Sequence, residues 1–192
     1  MKNDGRGGDQ RRHHRIIRRY FEIVNLYPKI DDPALEMRIE EFTMSASPEE
    51  LFRMQSTVFE AGRSFMAGDP GWETIIRHLE GKKVGLAIGK EYGSTVAVEG
   101  GEFELRIGIP DRDIPVFHVS SRKDYVDALL RRKDLLRMVL SGRLGASHKL
   151  TLARWGLSFF HLLTDDELFE NLLARWVDAE TILKETLDSM GF

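Results

Sequence analysis

The chain has 192 residues, 42% of them hydrophobic, and a formal net charge of −3 at pH 7. This length allows one domain with extra helices at its ends, and this hydrophobic content excludes global disorder. The absence of cysteine excludes disulfides, a thiol nucleophile and thiolate metal sites. No signal-peptide core and no apolar run of membrane-spanning length is found, so a cytoplasmic protein is expected.

The N-terminal region is strongly basic. Residues 1–19 contain seven basic and two acidic residues, so this segment carries +5 and the remainder carries −8. Residues 1–9 are predicted to form a mobile basic arm, and an apolar stripe from residue 10 onward is typical of an amphipathic helix. Such a helix packs on its own domain or lies on an anionic membrane surface, whereas nucleic acid is a disfavoured partner. The arginines expected at a membrane are Arg11, Arg12, Arg15, Arg18 and Arg19.

Residues 10–82 are interpreted as a helical part that packs on the domain. Leu35–Phe42 is ambiguous, because its apolar residues alternate as in a strand whereas Glu, Met and Arg favour helix. A capping box at Ser47–Glu50, with proline at the first helical position, begins a helix that extends to about Met66. The apolar spacing in Trp72–Leu79 predicts one further short helix.

Residues 83–163 are predicted to form a sheet with a helical cover. Three alternating runs joined by glycine turns indicate neighbouring antiparallel strands, and a fourth run leads into a helix near Ser121. The four runs are Val84–Ile88, Thr95–Val98, Glu102–Ile107 and Ile114–Val119. A helical apolar segment, Leu150–Leu163, closes the unit. The expected fold class is α+β, a small antiparallel sheet of four to five strands covered by helices, with additional N- and C-terminal helices.

Residues 164–192 are predicted to form a C-terminal helical extension. Thr164–Glu167 is a second capping box, and a long apolar stripe follows it. The stripe is typical of a helix packed on the domain, and also of a self-association helix. The residues expected at a homo-oligomer contact are Leu168, Leu172 and Trp176.

No recognisable motif for catalysis, metal binding or nucleotide binding is found. The sequence has no His-Glu-x-x-His motif, no phosphate loop and no nucleophile elbow. The histidines lack ligand spacing, although His118 or His148 leaves a hydrolase or isomerase as a third hypothesis. No catalytic residue, metal ligand or cofactor is therefore assigned, and binding is expected rather than chemistry.

Part of the chain resembles a family of lipid carriers. Val96–Ile107 resembles its second and third strands, Phe117–Leu130 its strand-to-helix junction, and Leu140–Leu144 its glycine turn. These stretches are similar to the sterol carrier protein-2 family of lipid-binding domains, over roughly residues 84–163. The chain departs from that family at Gly145–His148, where the family has an alternating strand. The resemblance implies non-catalytic binding or transfer of a lipid, fatty acid or sterol-like molecule.

An apolar pocket between the sheet and its helical cover follows from this prediction. The residues assigned to the pocket are Val96, Val98, Phe103, Leu105, Ile107, Phe117, Leu140, Leu157 and Phe160. If their side chains close tightly, they form an ordinary core. If they leave space, burial of an acyl chain contributes about 0.8 kcal/mol per methylene. The alternative is an interaction or assembly protein that uses its C-terminal amphipathic helix and binds no small molecule.

Overall fold

A computed structural model describes residues 30–68, 70–109, 113–156, 166–167 and 179–192. Within these residues the protein is α+β, as predicted, with seven helices around a five-stranded sheet. None of the described helices is both long enough and apolar enough to cross a bilayer.

Helices occupy both ends of the described chain, and the strands lie between them. The helices are α1 (Pro33–Ser45), α2 (Pro48–Met66), α3 (Pro70–Leu79), α4 (Arg122–Leu129), α5 (Leu135–Leu140), α6 (Lys149–Gly156) and α7 (Ala179–Met190). The strands are β1 (Lys83–Ile88), β2 (Tyr92–Glu99), β3 (Glu102–Ile107), β4 (Val116–Val119) and β5 (Leu144–Ala146).

The ambiguous segment Leu35–Phe42 is helical and belongs to α1. Leu35, Ile39 and Phe42 are all buried, and their spacing of four and three residues places them on one side of a helix. Asp32 caps the helix, because its Oδ1 accepts the backbone N–H of Ala34 at 2.9 Å. Helix propensity and burial together therefore outweigh the short alternation in the sequence.

The capping signals in the sequence mark true helix starts. At α2, the Ser47 Oγ accepts the Glu50 N–H at 3.2 Å, and the Glu50 Oε2 accepts the Ser47 N–H at 2.7 Å. At α4, the Ser121 Oγ accepts the Asp124 N–H at 3.1 Å. The capping box predicted at Thr164–Glu167 includes residues outside the described part of the chain.

The sheet is mixed, whereas the sequence predicts an antiparallel one. Its strand order is β3-β2-β1-β4-β5, and its pairs are antiparallel except that β1 and β4 run parallel. After β3 the chain returns to the other side of β1, so β4 enters the sheet in the same direction as β1. Alternation of apolar residues defines a strand but carries no information on the direction of its partner.

Strand β5 is short and was not evident from the sequence. It pairs with β4 in the register Phe117 with Ala146 and Val119 with Leu144. The backbone of Val116 donates its N–H to the Ser147 Oγ at 2.8 Å, which extends the pairing by one side chain. Three residues are too few for alternation to distinguish a strand from a loop.

Helices α1 and α7 pack together although they are far apart in the sequence. The Arg38 Nε donates to the Phe192 carbonyl at 3.1 Å, and the two residues are 154 positions apart. The rings of Phe42 and Phe192 meet edge to face with centroids 4.9 Å apart. Lys184 of α7 forms an ion pair of 2.8 Å with Asp32, the cap of α1. The two ends of the described chain therefore form one packed unit.

Several predicted features lie outside the described residues. They include the N-terminal basic arm, the arginines at positions 11–19, the second half of the predicted helix Leu150–Leu163, and the proposed oligomer contacts Leu168, Leu172 and Trp176. The first half of that helix is present as α6.

Candidate ligand-binding cavity

One face of the sheet lines a cavity. Leu86 of β1, Val96 of β2 and Phe103 of β3 all contribute to it. The strand register pairs Val84 with Val96 and Val98 with Phe103, and residues directly opposite each other share a face. Side chains two positions apart share a face as well, so the three cavity residues project from the same side of the sheet.

Helix α2 forms the longest wall of the cavity, and α1, α4 and α7 complete it. The residues of α2 at the cavity follow the three- and four-residue spacing of one helix face: Leu51, Met54, Gln55, Val58, Phe59, Gly62 and Arg63. The other described residues at the cavity are Ile30, Ile39, Phe42, Thr43, Trp72, Tyr125, Leu129, Leu130, Leu183 and Leu187. Most of these side chains are aliphatic or aromatic, so the cavity has an apolar interior.

The cavity is large enough for a small molecule. Its volume is about 490 Å³. Small-molecule sites in proteins measure about 300–1,000 Å³ and are lined mainly by hydrophobic and aromatic side chains. Size and lining therefore both match a site for an apolar ligand.

Gly62 leaves part of this volume open. It lies within α2, and a Cβ atom placed on it meets no heavy atom within 4 Å. Glycine inside a helix costs about 1 kcal/mol relative to alanine. Neither close packing nor a left-handed backbone requires glycine at this position, so the residue widens the cavity at a cost in helix stability.

The aromatic residues cluster at one end of the cavity. The rings of Trp72 and Phe103 stack with centroids 5.2 Å apart, and Phe59 meets Phe103 edge to face at 6.4 Å. Arg63 lies one helical turn after Phe59, is exposed, and forms ion pairs with Glu60 at 2.8 Å and Glu102 at 3.1 Å. Among the described residues that line the cavity, Arg63 is the only charged one. The one charged side chain among these lining residues is therefore already paired with two carboxylates.

A partly buried hydrogen bond lies beside the cavity. The Tyr92 hydroxyl donates to the Gln55 Oε1, and so joins β2 to α2. Burial raises the pKa of Tyr92, so its phenol stays neutral and keeps its donor proton at neutral pH. The hydrogen bond occupies the Gln55 carbonyl oxygen, which leaves the interior with few free polar groups.

Ion pairs hold the α1 and α4 walls together. Glu40 of α1 accepts from Lys123 at 3.0 Å and also pairs with Arg132. Hydrogen bonds from Arg132 and Lys123 lower the pKa of Glu40 below its ordinary value. Arg122 donates to the backbone carbonyls of Thr43 at 3.2 Å and Ala46 at 2.5 Å, which fixes the end of α1 against the start of α4.

Two carboxylates on α4 take part in the same network. Asp124 accepts from the hydroxyls of Ser120 at 2.6 Å and Ser121 at 2.8 Å. The Ser120 hydrogen bond is the main reason that the pKa of Asp124 is lowered. Burial alone would raise the pKa of Asp127, but Lys133 and Lys123 lower it more, so it too lies below its ordinary value. Both carboxylates therefore remain charged and paired at neutral pH.

The structure brings two of the predicted pocket residues to the cavity. Val96 and Phe103 line it. Val98 is not among the cavity residues and is buried instead against Ile75 and Leu79 of α3, in an apolar cluster on which Trp72 and Phe103 also pack. Leu105, on the same face of the sheet, is half-buried and is not among the residues at the cavity.

The other predicted pocket residues lie elsewhere. Ile107, Phe117 and Leu140 have exposed side chains and are not among the cavity residues. Leu157 and Phe160 lie outside the described residues. The sequence gives the face of a strand but not which part of that face a helix covers, so the assignment extended too far toward the ends and edges of the sheet.

The helical walls were missed as pocket residues. The spacing of Leu51, Met54 and Val58 identifies the buried side of α2, but it gives no sign that this side faces a space rather than a filled core. Gly62 is the one signal in the sequence that could have indicated this space. A glycine inside a predicted helix, away from any turn, needs a separate explanation.

The two histidines considered for catalysis lie on either side of β5 in the sequence. His118 on β4 and His148 before α6 are both exposed. No group of three or more His, Asp or Glu residues within the described ranges is placed to hold a metal ion.

Comparisons with known proteins add no relative. No protein-family model matches the chain, and no curated protein matches it. The resemblance to the sterol carrier protein-2 family therefore stays a prediction.

Proposed function

We propose that this protein binds an apolar small molecule, of the lipid or fatty-acid class, without catalysing a reaction on it. The observation that supports this proposal is the cavity of about 490 Å³ between the sheet and α2, with a lining that is almost wholly apolar. Cytoplasmic localisation is part of the proposal and agrees with the absence of cysteine.

The cost of an unfilled cavity favours an occupant. In protein cores an apolar void costs about 24 cal/mol per Å³. For a cavity of about 490 Å³ this gives an upper bound of about 12 kcal/mol, since the cavity is partly open to solvent. A typical domain is stable by only about 5–15 kcal/mol in total. An apolar ligand that fills the space would recover much of this cost.

The distribution of charge suggests how a ligand lies. An acyl chain or sterol-like ring system would occupy the interior near Leu51 and Leu187, where the lining is apolar. A polar end would lie toward the exposed side chain of Arg63, whose guanidinium is paired with Glu60 and Glu102. This orientation buries the apolar part and leaves the polar end in water, so neither part is in an unfavourable environment.

The direct test is to look for a bound molecule. The full chain is purified without detergent and measured by native mass spectrometry, and its organic extract is analysed for lipids. We expect a bound apolar molecule, and saturable binding of a fluorescent fatty acid to protein from which that molecule has been extracted. Protein that carries no such molecule and also fails to bind the fluorescent fatty acid would contradict the proposal.

A pair of leucine substitutions on α2 locates the binding site. Gly62→Leu places a side chain in the open space of the cavity, so it is expected to weaken binding of the fluorescent fatty acid at least about tenfold. Ser64→Leu is the matched control, because Ser64 is exposed on the same helix and is not among the described residues that line the cavity. Equal loss of binding in the two variants, or no loss in either, would place the ligand outside this cavity.

The alternative function, assembly through the C-terminal helix, remains a proposal as well. Its candidate contacts Leu168, Leu172 and Trp176 lie outside the described residues. Sedimentation of the full chain decides it. A monomer whose mass does not rise with concentration would remove the assembly function and leave the ligand proposal intact.

A further inference from the structure

Helix α2 places one carboxamide in the wall of the cavity. Leu51, Gln55 and Phe59 follow one another at intervals of four residues and all line the cavity, so they share one side of the helix. Gln55 is the one carboxamide among the described residues that line it. A side chain in the middle of an apolar helix face is ordinarily apolar itself. The polar group at this position therefore needs an explanation.

A hydrogen bond fixes which way the carboxamide is turned. The Tyr92 hydroxyl donates to the Gln55 Oε1, and Tyr92 is not among the described residues that line the cavity. The oxygen side of the carboxamide is thus directed toward β2. The nitrogen lies on the other side of the amide carbon and carries two N–H donors. The donors, rather than the oxygen, are the part of Gln55 that remains for a guest.

These donors have no partner in the described part of the chain. The hydrogen bond from Tyr92 is the one polar contact of the Gln55 side chain there. The Gln55 Nε2 is also not among the fully buried side-chain atoms that lack a partner in those ranges, so it is accessible rather than sealed inside the protein. A donor in apolar surroundings is costly when it is not hydrogen-bonded, and an acceptor on a ligand would remove this cost.

The charges at the cavity favour an uncharged acceptor. Arg63 is the one charged residue among the described lining residues, and its guanidinium is paired with Glu60 and Glu102. An ionised ligand group beside Gln55 would therefore find no free cation among those residues. Burying a charge without a partner is far more costly than burying a neutral polar group that is hydrogen-bonded.

We propose that the ligand is an uncharged lipid with an ester or ketone carbonyl, and that its carbonyl oxygen accepts a hydrogen bond from the Gln55 Nε2. This inference rests on the proposed function, because it requires an apolar molecule in the cavity. The acyl chain supplies most of the affinity by burial. Gln55 then determines specificity, since a few placed polar groups select among ligands of similar apolar surface.

A carbonyl fits this position better than a hydroxyl. A carbonyl accepts hydrogen bonds and donates none, which matches a nitrogen that donates and does not accept. A hydroxyl would bring a proton of its own, and the Gln55 Oε1 already accepts from Tyr92. The same position thus distinguishes an ester from an alcohol of equal chain length.

The experiment combines four ligands with substitutions of Gln55. Methyl undecanoate, dodecane, dodecanol and dodecanoate have the same number of carbon atoms and differ in their polar group. Each is used to displace the fluorescent fatty acid from the full chain, and its inhibition constant is corrected for the affinity of each variant for that reporter. Comparing the change that one substitution causes for each ligand isolates the contact between the two altered groups.

Gln55→Met removes both donors and keeps an unbranched side chain of similar length. We expect it to weaken the binding of methyl undecanoate about fivefold and to leave that of dodecane unchanged, because dodecane has no acceptor to lose. Thr57→Met is the matched control, since Thr57 is exposed on the same helix and is not among the described residues that line the cavity. This control is expected to bind all four ligands like the parent protein.

Gln55→Glu separates the donors from the contact with Tyr92. A carboxylate still accepts the Tyr92 hydrogen bond but has no N–H group, and at about pH 8 the carboxyl group is ionised. We expect this variant to weaken methyl undecanoate more than dodecane, as Gln55→Met does. If its relative affinity for the two ligands equals that of the parent, the donors play no part and the inference is wrong.

The other ligands test the chemical class. Dodecanol and dodecanoate are expected to lose less affinity than methyl undecanoate in Gln55→Met. An equal or larger loss for either would place a hydroxyl or a carboxylate at Gln55 and would overturn the inference. It is also overturned if Gln55→Met weakens all four ligands equally or weakens none of them.

Failure of this inference differs from failure of the proposed function. If dodecane and the fluorescent fatty acid bind but Gln55 does not discriminate, the cavity still binds apolar molecules and only the carbonyl contact is wrong. If the parent protein binds neither the fluorescent fatty acid nor any of the four ligands, both proposals are wrong. Circular dichroism and binding of the fluorescent fatty acid check that each variant keeps its fold and its cavity.

Discussion

Two neighbouring valines on one strand face have different surroundings. Val98 is buried in a filled cluster with Ile75 and Leu79, whereas Val96, two residues earlier on the same face, lines the cavity. Both are β-branched residues in β2, so their own chemistry does not separate them. The difference lies in the cover: α3 packs on the sheet at Val98, whereas Val96 and α2, including Gly62, border the cavity. A pocket is thus a property of the cover rather than of the sheet.

The largest expected difference is between two leucines. Leu79→Ala in the filled cluster is expected to destabilise the protein by about 2–5 kcal/mol, because it creates a new void. Leu86→Ala at the cavity is expected to cost less, about 1–2 kcal/mol, because it enlarges an existing space whose wall is already incompletely packed. Urea unfolding of the ligand-free variants measures both. Equal costs would mean that the cavity is as tightly filled as the cluster, and the comparison would not hold.

Lowering the pH is expected to weaken the packing of the cavity walls, where Asp124 is charged, before it affects the apolar cluster around Val98. The pKa of Asp124 is lowered in the folded protein, chiefly by the Ser120 hydroxyl, so the unfolded chain takes up its proton at a higher pH than the folded chain. The stability from Asp124 is therefore complete above about pH 4 and is lost as the pH falls below that value.

Asp124→Asn isolates this contribution. The variant is expected to be less stable at pH 7 by about 1–3 kcal/mol, because the hydrogen bonds of Ser120 and Ser121 to a charged acceptor are weakened. Its stability should also decline less steeply than that of the parent between pH 4 and pH 2, as measured by urea unfolding at several pH values. Parallel pH profiles for the two proteins would show that Asp124 does not contribute in this way.

The smallest expected effect is a gain. Gly62→Ala adds a methyl group that meets no neighbouring atom and removes a glycine from a helix interior, so we expect a stabilisation of about 1 kcal/mol. Thermal unfolding of the ligand-free protein measures it. Unlike Gly62→Leu, the alanine variant should retain most of its binding to the fluorescent fatty acid. A loss of stability would indicate that the space beside Gly62 is not open.

The sequence predicts the local structure well where one segment contains the whole signal. The capping box at Ser47–Glu50 and the cap at Ser121 place the starts of α2 and α4 correctly, because a cap involves only neighbouring residues. The α+β class is confirmed for the same reason, since it depends on periodicity within each segment. Leu35–Phe42 is ambiguous because eight residues are too few to distinguish the periodicity of a helix from that of a strand.

Features that depend on distant parts of the chain could not be predicted in this way. The parallel pairing of β1 with β4 depends on the route that the chain takes after β3. The cavity depends on where Leu183 and Leu187 of α7 are placed against a sheet formed about a hundred residues earlier. Among the residues assigned to a pocket, Val96 and Phe103 lie at the cavity, whereas Ile107 and Phe117 do not. Alternation along a strand shows which side chains share a face, but it does not show which part of that face the helices cover.

The packing of α1 against α7 makes the cavity depend on contacts between the two ends of the described chain. Closing a loop of about 150 residues costs more entropy than closing a local one, and distant contacts of this kind slow folding. A chain in which α7 is not docked lacks the wall formed by Leu183 and Leu187. A ligand that contacts all the walls of the cavity binds only the fully folded protein. Its binding therefore shifts the folding equilibrium toward the folded state.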